Sequence, residues 1–505
     1  MKRFALLFIV FIAAAGVLAQ NAPSPTDLYN QACYLALAGK KDEAFTKLRE
    51  AFALGWSNAE HLQRDTDLDS LHDDPRWQPL VDEMKAAAAR EQKKWNNPTL
   101  ATPFRENLSD AEKMAGLARV WSEVRYNFAN FDLIPDVDWD AEYLAAIPRA
   151  LATKSTFDFY NVVIELVAKL RDGHTNAWYP NQVADQASAI PPMRQQLVDG
   201  RIVVILAGEG APVKAGDEIL EVDGQPWREY AAKNVVPFIS ASTKQDLDYR
   251  TGDRLLLGAV GTKVKLKTRD ANGKTSNVEV ERLTRGKRIP IIKELFEFRM
   301  LPGNIAYVAL NDFGSDDVAN AYDAHYDEIA KSRALILDVR KNGGGSTGVG
   351  YRVLSTLISK PVATTKAQTM TYRPTDRARS VAQRVEYQES TLQPDAKGRL
   401  YTKPVAVLIG PATFSAAEDF AVAWKMAKRG LTIGTPSGGS TGQPLQIALP
   451  GGGGFRVCTK RDRFANGEEF VGVGIQPDIE VRATIDNVRA GRDPVLERAI
   501  AELMR

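Results

Sequence analysis

A chain of 505 residues has room for about three domains with real hydrophobic cores. Its 44% hydrophobic and 25% charged residues are those of an ordinary globular protein, and a net charge of +2 without Lys/Arg blocks excludes the usual basic surface of a nucleic-acid-binding protein. Two cysteines exclude a disulfide framework and a zinc site built on thiolates.

Residues 1–19 read as a signal peptide. Lys2 and Arg3 form a positive n-region, Phe4 to Ala15 an apolar h-region, and Val17-Leu18-Ala19 a small-residue cleavage site before Gln20. Export with cleavage follows, to a periplasmic or secreted location. No Cys comes after the apolar run to carry a lipid, and no later stretch is apolar enough to span a membrane, so membrane association is not expected after cleavage.

Residues 26–95 predict helices. Ala32, Leu35, Ala36, Gly39, Ala44, Leu48, Ala51 and Gly55 follow the small/large alternation of one antiparallel helix pair. The run YNQACYLALAGKKDEAFTKLREAFALG resembles a single tetratricopeptide repeat. One repeat cannot bury its own face, so this module is expected to dock on a neighbour or a protein partner. Cys33 and Cys458 fall in different predicted domains and are expected to be free thiols. NNPTLATP, 96–103, is a linker.

Residues 104–185 also predict helices: LARVWSEVRYNF, YLAAIPRALA and FDFYNVVIELVAKL. The last stops at Arg171-Asp172-Gly173-His174-Thr175, where Gly173 ends the helix and puts His174 on the exposed turn beyond it. Residues 190–285 switch to short strands, IVVIL, EILEVDG, KVKLKT and NVEVERL. VKAGDEILEVDGQPW resembles the middle of a PDZ domain, a fold that takes peptide chains as an added strand.

Residues 300–505 alternate strands and helices, the pattern of a layered α/β domain. IAYVAL, ALILDV and VAVLI read as buried strands, and RKNGGGS as a tight loop. After VAVLI the chain breaks at Gly410, Pro411 and Ala412, and a helix carries Phe420, Ala423, Trp424 and Ala427 on one stripe. Ser415 therefore sits at a strand–turn–helix junction. Free N–H groups at a helix start favour developing negative charge there, which suits a nucleophile. Ser415-Ala-Ala-Glu418 also fits an ordinary capping box.

A serine nucleophile needs a base and oxyanion donors. Of four histidines, His61 and His72 lie in the repeat-like module and His325 in a helix where a solvated ring is the default. His174 alone lies on a loop at a helix end. Gly343-Gly344-Gly345 supplies a donor turn, so the Gly344 and Ala416 amides are the oxyanion candidates. A phosphate cradle is the rival reading, but GGGSTG lacks the Gly-Lys-Ser/Thr ending of a P-loop. No cofactor or metal site is expected.

Together these segments resemble the tricorn and C-terminal-processing serine peptidases. ALILDVRKNGGG is similar to that family's Asp-x-Arg-x-Asn-x-Gly-Gly segment, TFSAAEDFA to its nucleophile helix, and GVGIQPDIEV to its closing Gly-x-Gly-Ile-x-Pro-Asp segment. The likeness spans about residues 105–500 and leaves out the repeat-like module. It implies a multidomain α+β protein: an all-α N-terminal part, a PDZ-like β domain and a crotonase-like α/β catalytic core. It also implies a serine endopeptidase acting on unfolded proteins or protein C-terminal tails through an acyl-enzyme.

The processing branch uses a Ser-Lys pair, and its lysine would fall at Ser440, which cannot act as a base. The tricorn-like branch pairs serine with histidine, and His174 in LRDGHT matches that histidine. Two features depart from that pattern. The residue before the histidine is Gly173 instead of serine, and the expected glutamate aligns near Val471, so Glu469 is named as the third member. These departures leave an alternative open: an inactive family member that binds an apolar ligand or a peptide.

Overall fold

The structure, a computed structural model, describes residues 23–95, 97–284, 287 and 289–505. The signal peptide read at 1–19 lies outside them. The chain divides into two compact units, 1–97 and 98–505.

In the first unit, Ser24 and Asp27 form a capping box that starts the helix Pro25–Leu37. Gly39, at φ +74°, turns the chain into the helix Lys41–Ala53. Ala32, Ala36, Ala44, Leu48 and Ala51 are buried between and beneath the pair. The apolar face of this pair meets further segments of the same unit. Leu62, Leu68 and Leu71, then Leu80, Val81 and Met84 of the helix Trp77–Trp95, close the same core.

In the second unit, the helices Asp110–Asn127, Trp139–Ala152 and Thr156–Ala168 pack around Leu117, Val120, Phe159, Val163 and Val167. Their core is completed by Ile447, Leu449, Phe455 and Val457, which arrive from nearly three hundred residues later in the chain. Ile447, Phe455 and Val457 belong to a three-stranded antiparallel sheet: Asn176–Trp178, Gly454–Cys458 and Pro444–Ala448, with Gly454–Cys458 in the middle. The helical part and the α/β part thus share one apolar core.

The strand region forms its own antiparallel sheet, running Met193–Val198, Arg201–Ala207, Glu218–Val222, Lys263–Arg269 and Thr275–Glu281 in spatial order. Gln225–Pro226 adds a short strand to Glu218–Val222. The helix Lys244–Arg254 packs on the outer strand so closely that a Cβ at Gly252 would come within 2.7 Å of the Leu197 nitrogen.

The α/β part is a six-stranded sheet ordered Ile479–Glu480, Leu431–Gly434, Val405–Ile409, Ala334–Asp338, Ile305–Leu310 and Phe296–Leu301. All pairs are parallel except the last. Alternate residues of Val405–Ile409 face opposite ways, as the pleat requires. Val405, Val407 and Ile409 meet Phe420 and Trp424 on one face, while Ala406 and Leu408 meet Val495 and Ala499 on the other. Helices therefore cover both faces.

Two features differ from the strand reading. FRVCTK is not one strand: it breaks at Thr459, and Lys460–Phe464 joins a second three-stranded sheet with Val362–Thr371 and Arg384–Leu392. The latter pair forms a ribbon whose outer strand is exposed along most of its length, so its residues carry no apolar alternation to read.

Candidate active site

The strand Val405–Ile409 is wholly buried and ends in a pinned turn. Thr413 Oγ1 accepts the Gly410 N–H at 3.0 Å and donates to Val339 O at 2.9 Å, tying the turn to the neighbouring strand end. Phe414 N–H donates to Asn342 O. The chain then passes through Ser415 at φ +58°, ψ −127°, a conformation disfavoured for any residue with a Cβ. Helix Ala416–Ala427 begins directly after it. Such strain persists only where neighbours over-determine it, and here Ser415 N–H is held by Ser440 O at 3.1 Å and Glu418 Oε2 at 3.2 Å.

His174 Nε2 lies 2.9 Å from Ser415 Oγ, joining residues 241 positions apart. Its loop is fixed by Asp172, whose Oδ1 accepts from His174 N–H (2.9 Å) and Thr175 Oγ1 (3.0 Å) and whose Oδ2 accepts from Asn130 Nδ2 (2.9 Å). The exposed turn expected for His174 is corrected: the residue is only 2% exposed. Phe414 stacks on the imidazole with ring centroids 4.6 Å apart and planes 12° from parallel. That ring also fills the space beside Gly173, where a Cβ would meet it at 2.7 Å. A serine at 173 has no room.

Burial, then the charges of Arg456, Arg250 and Lys460, lower His174 to about 3, so the ring is neutral at neutral pH. A neutral imidazole offers one N–H and one lone pair. Nδ1 stands 2.8 Å from Ser440 Oγ. With the proton on Nδ1 donated to Ser440, the Nε2 lone pair faces the Ser415 hydroxyl. Ser440 is in turn placed by its own N–H on Glu418 Oε2 (2.9 Å).

Glu418 thereby connects both serines. It is fully buried, and besides the Ser415 and Ser440 amides it accepts Ser437 Oγ (2.6 Å) and Gly439 N–H (2.7 Å) on Oε1. Burial pushes this carboxyl up to about 8, and the four donors oppose the shift. The neighbouring Asp419 accepts from Thr347 Oγ1 at 2.6 Å; burial and the nearby Asp462 raise it to about 6.

The oxyanion candidates are placed unequally. Ala416 N–H is in the first turn of its helix, where amides have no intrahelical acceptor. Gly344 lies against Ser415, since a Cβ on it would meet Ser415 Cβ at 2.6 Å, and its φ of +99° suits glycine. Its N–H, however, donates to Asn342 Oδ1 at 2.8 Å.

Glu469 is not brought to His174. Its Oε1 pairs with Arg463 at 2.6 Å and approaches Arg461 at 3.9 Å. The nitrogen it was expected to orient faces Ser440 instead. The sequence marked Ser440 only as the place of a missing lysine, and Glu418 only as a cap. Nothing in a linear reading signals the Phe414 stack. Among the described residues, Cys33, Asp65 and Asp67 of the first unit are spaced to share a metal ion, but the Asp65 carboxylate already accepts the Tyr29 hydroxyl. Cys33 and Cys458 are both buried free thiols.

The sequence model of peptidase family S41 matches residues 304–481, which carry Ser415, Glu418 and Ser440. A chloroplastic C-terminal processing peptidase of Tetradesmus obliquus is 26% identical over 348 residues, covering 64% of this chain and 68% of that protein. The carboxy-terminal processing protease CtpA of Bacillus subtilis is 25% identical over 291 residues, covering 56% of this chain and 53% of its own. Among solved structures, mature CPAF superposes with a TM-score of 0.61 at 16% identity, covering 78% of this chain and 96% of CPAF, a likeness of fold.

Proposed function

The chain belongs to peptidase family S41 and is a serine-type peptidase, and on that premise we propose that it is an exported endopeptidase cutting polypeptides in unfolded or C-terminal regions, with Ser415 as nucleophile and His174 as base. The observation that carries the assignment is the 2.9 Å approach of His174 Nε2 to Ser415 Oγ. Ser415 Oγ attacks the scissile carbonyl carbon while Nε2 takes the hydroxyl proton. The resulting oxyanion is received by Ala416 N–H, joined by Gly344 N–H once it leaves Asn342. Collapse breaks the peptide bond, and the imidazolium gives its proton to the departing amine. Water then repeats the sequence on the acyl-enzyme, returning Ser415 and releasing the new carboxyl end.

The imidazolium formed in each half-reaction needs a partner on Nδ1. Ser440 Oγ fills that place, positioned by Glu418 through the backbone. No acid touches the ring directly among the described residues, so Ser440 takes the orienting role first assigned to Glu469.

Labelling with a fluorophosphonate probe tests the assignment: wild type is expected to label, and Ser415→Ala and His174→Ala are not. Equal labelling of Ser415→Ala would remove Ser415 from the reaction. The PDZ-like region at 190–285 is proposed to engage the substrate chain, and the tetratricopeptide-like region at 26–95 to recruit a protein partner. Deletion of residues 20–95 that leaves co-purifying proteins unchanged would end the second idea. Among the described residues no helix is long and apolar enough to cross a membrane.

A further inference from the structure

We propose that Arg456 binds a carboxylate of the substrate chain beside the scissile bond, so that a carboxyl group on the substrate determines where this peptidase acts; the inference rests on the peptidase reading above. The observations come from the small sheet next to the base. Asn176 and Gln446 stand directly across from Arg456 on its two neighbouring strands. Residues opposite one another share a face, and Trp178, two positions beyond Asn176, shares it too. The other face carries Ala177, Phe455, Val457 and Ile447 into the helical core.

Asn176, Trp178, Gln446 and Arg456 line an open cavity of about 220 Å³. Trp178 walls it by lying over Gly454, where a Cβ would meet the indole at 2.6 Å. The cavity adjoins the catalytic loop, because Asn176 follows His174 by two residues and its Nδ2 donates to Gly173 O at 3.0 Å.

Arg456 differs from its neighbours in having no counter-ion. Arg250 pairs with Asp246, Arg461 with Asp132 and Arg463 with Glu469, whereas among the described residues no carboxylate lies within ion-pair reach of Arg456. Its Nε is wholly buried and has no hydrogen-bond partner among the described residues. Asp172, which it senses electrostatically, is already committed to Asn130, Thr175 and the His174 N–H. A half-buried guanidinium without a counter-ion among the described residues matches a carboxylate in charge and in planar geometry. The amides of Asn176 and Gln446 can add donors to the same group. Arg456 is also the largest charge depressing His174, so a carboxylate bound there would restore basicity to the imidazole as the substrate arrives.

An Asp/Glu side chain and a chain's terminal carboxylate offer the same chemistry, and three fluorescent peptides of one neutral sequence separate them. The first has a free C-terminus, the second a C-terminal amide, and the third an amide plus one internal Glu. Binding is read by anisotropy with full-length Ser415→Ala, so the readout needs no turnover. At least one carboxylate peptide is expected to bind about tenfold or more tighter than the neutral one, less so at high salt. Arg456→Met, in the same background, is expected to bring the peptides within about twofold of each other. Gln446→Glu, at an exposed position, places a fixed carboxylate opposite Arg456 and should also abolish the preference, whether or not Arg456→Met folds. Equal binding of all three by Ser415→Ala, or a preference that survives both variants, overturns the proposal. If wild type cuts none of these peptides while the preference stands, the peptidase reading fails and the carboxylate site does not.

Discussion

Ser440 meets His174 at Nδ1, the imidazole nitrogen that faces away from Ser415, at 2.8 Å, and by the resemblance drawn from sequence it stands where the processing branch would carry a lysine. In the proposed reaction a hydroxyl there accepts the Nδ1 proton, and the proton of Ser415 goes to His174. A neutral acceptor stabilises an imidazolium less than a carboxylate does. Removing an orienting acid costs up to ~10⁴ in turnover, so Ser440→Ala is expected to lower kcat about 10–100-fold with KM little changed. Glu469→Gln, whose partner is Arg463, is expected to cost less than Ser440→Ala. The reverse order would return the orienting role to Glu469.

The depressed pKa of His174 predicts an unusual acid limb. A histidine near its ordinary pKa of about 6.5 loses base function below that pH. With His174 lowered to about 3 by burial and by Arg456, Arg250 and Lys460, kcat/KM is expected to hold well below pH 6. Arg456→Met should move that limb to higher pH. Stability follows with a fixed sign. Between about 6.5 and 3 the unfolded chain binds the proton and the folded chain does not, so the contribution is full above 6.5 and lost as pH falls. Urea midpoints from pH 7 to pH 4 should therefore drop more in wild type than in His174→Gln, by on the order of 2–4 kcal/mol.

Local pattern made part of this site legible. VAVLI followed by Gly-Pro-Ala and an amphipathic helix placed Ser415 at a strand–turn–helix junction, and the structure has it there with a positive φ. His174 stands out because a four-histidine chain leaves little choice. Its burial was not legible, since the ring that covers it, Phe414, comes 240 positions later and touches it only because both flank Ser415. The same holds for the core that Phe455 and Val457 share with the helices at 110–168. A linear reading assigned those pieces to separate domains because apolar periodicity says that a face is buried and not what buries it. Glu418 is legible as a cap and its larger network is not, because three of its four donors lie on a loop 19–22 residues away.

Gly173 and Phe414 give a coupled prediction. A Cβ at 173 would lie 2.7 and 2.8 Å from two atoms of the Phe414 ring, which cannot retreat without leaving the His174 stack. Gly173→Ala is expected to cost about 1–3 kcal/mol in urea unfolding, as overpacking does, and to lower kcat by displacing the imidazole. Phe414→Leu removes the colliding edge. The double variant should be more stable than the sum of the two single losses predicts, a favourable coupling that a double-mutant cycle measures. Additive losses would show that the ring does not police position 173.

Glu418 sets the last test, because its burial and its partners pull in opposite directions. Burial raises the carboxyl to about 8, which taken alone gives a neutral acid at pH 7. Yet its two oxygens accept four donors, from Ser437 Oγ and the amides of Gly439, Ser440 and Ser415. A carboxyl proton could go only to Ser437 Oγ, since the other three partners are backbone N–H groups, whereas the ionised form accepts all four. Glutamine separates the two states. If Glu418 is ionised, the glutamine NH₂ is forced against two N–H or O–H donors, and Glu418→Gln should lose on the order of 2–3 kcal/mol in urea. Glu418→Ala, which strands all four donors, should lose about 3–5 kcal/mol. The Ser415 N–H then keeps only Ser440 O as a full acceptor, so fluorophosphonate labelling should fall with both variants. A Glu418→Gln protein as stable as wild type would mean that the buried acid is neutral, with its proton on the contact to Ser437 Oγ.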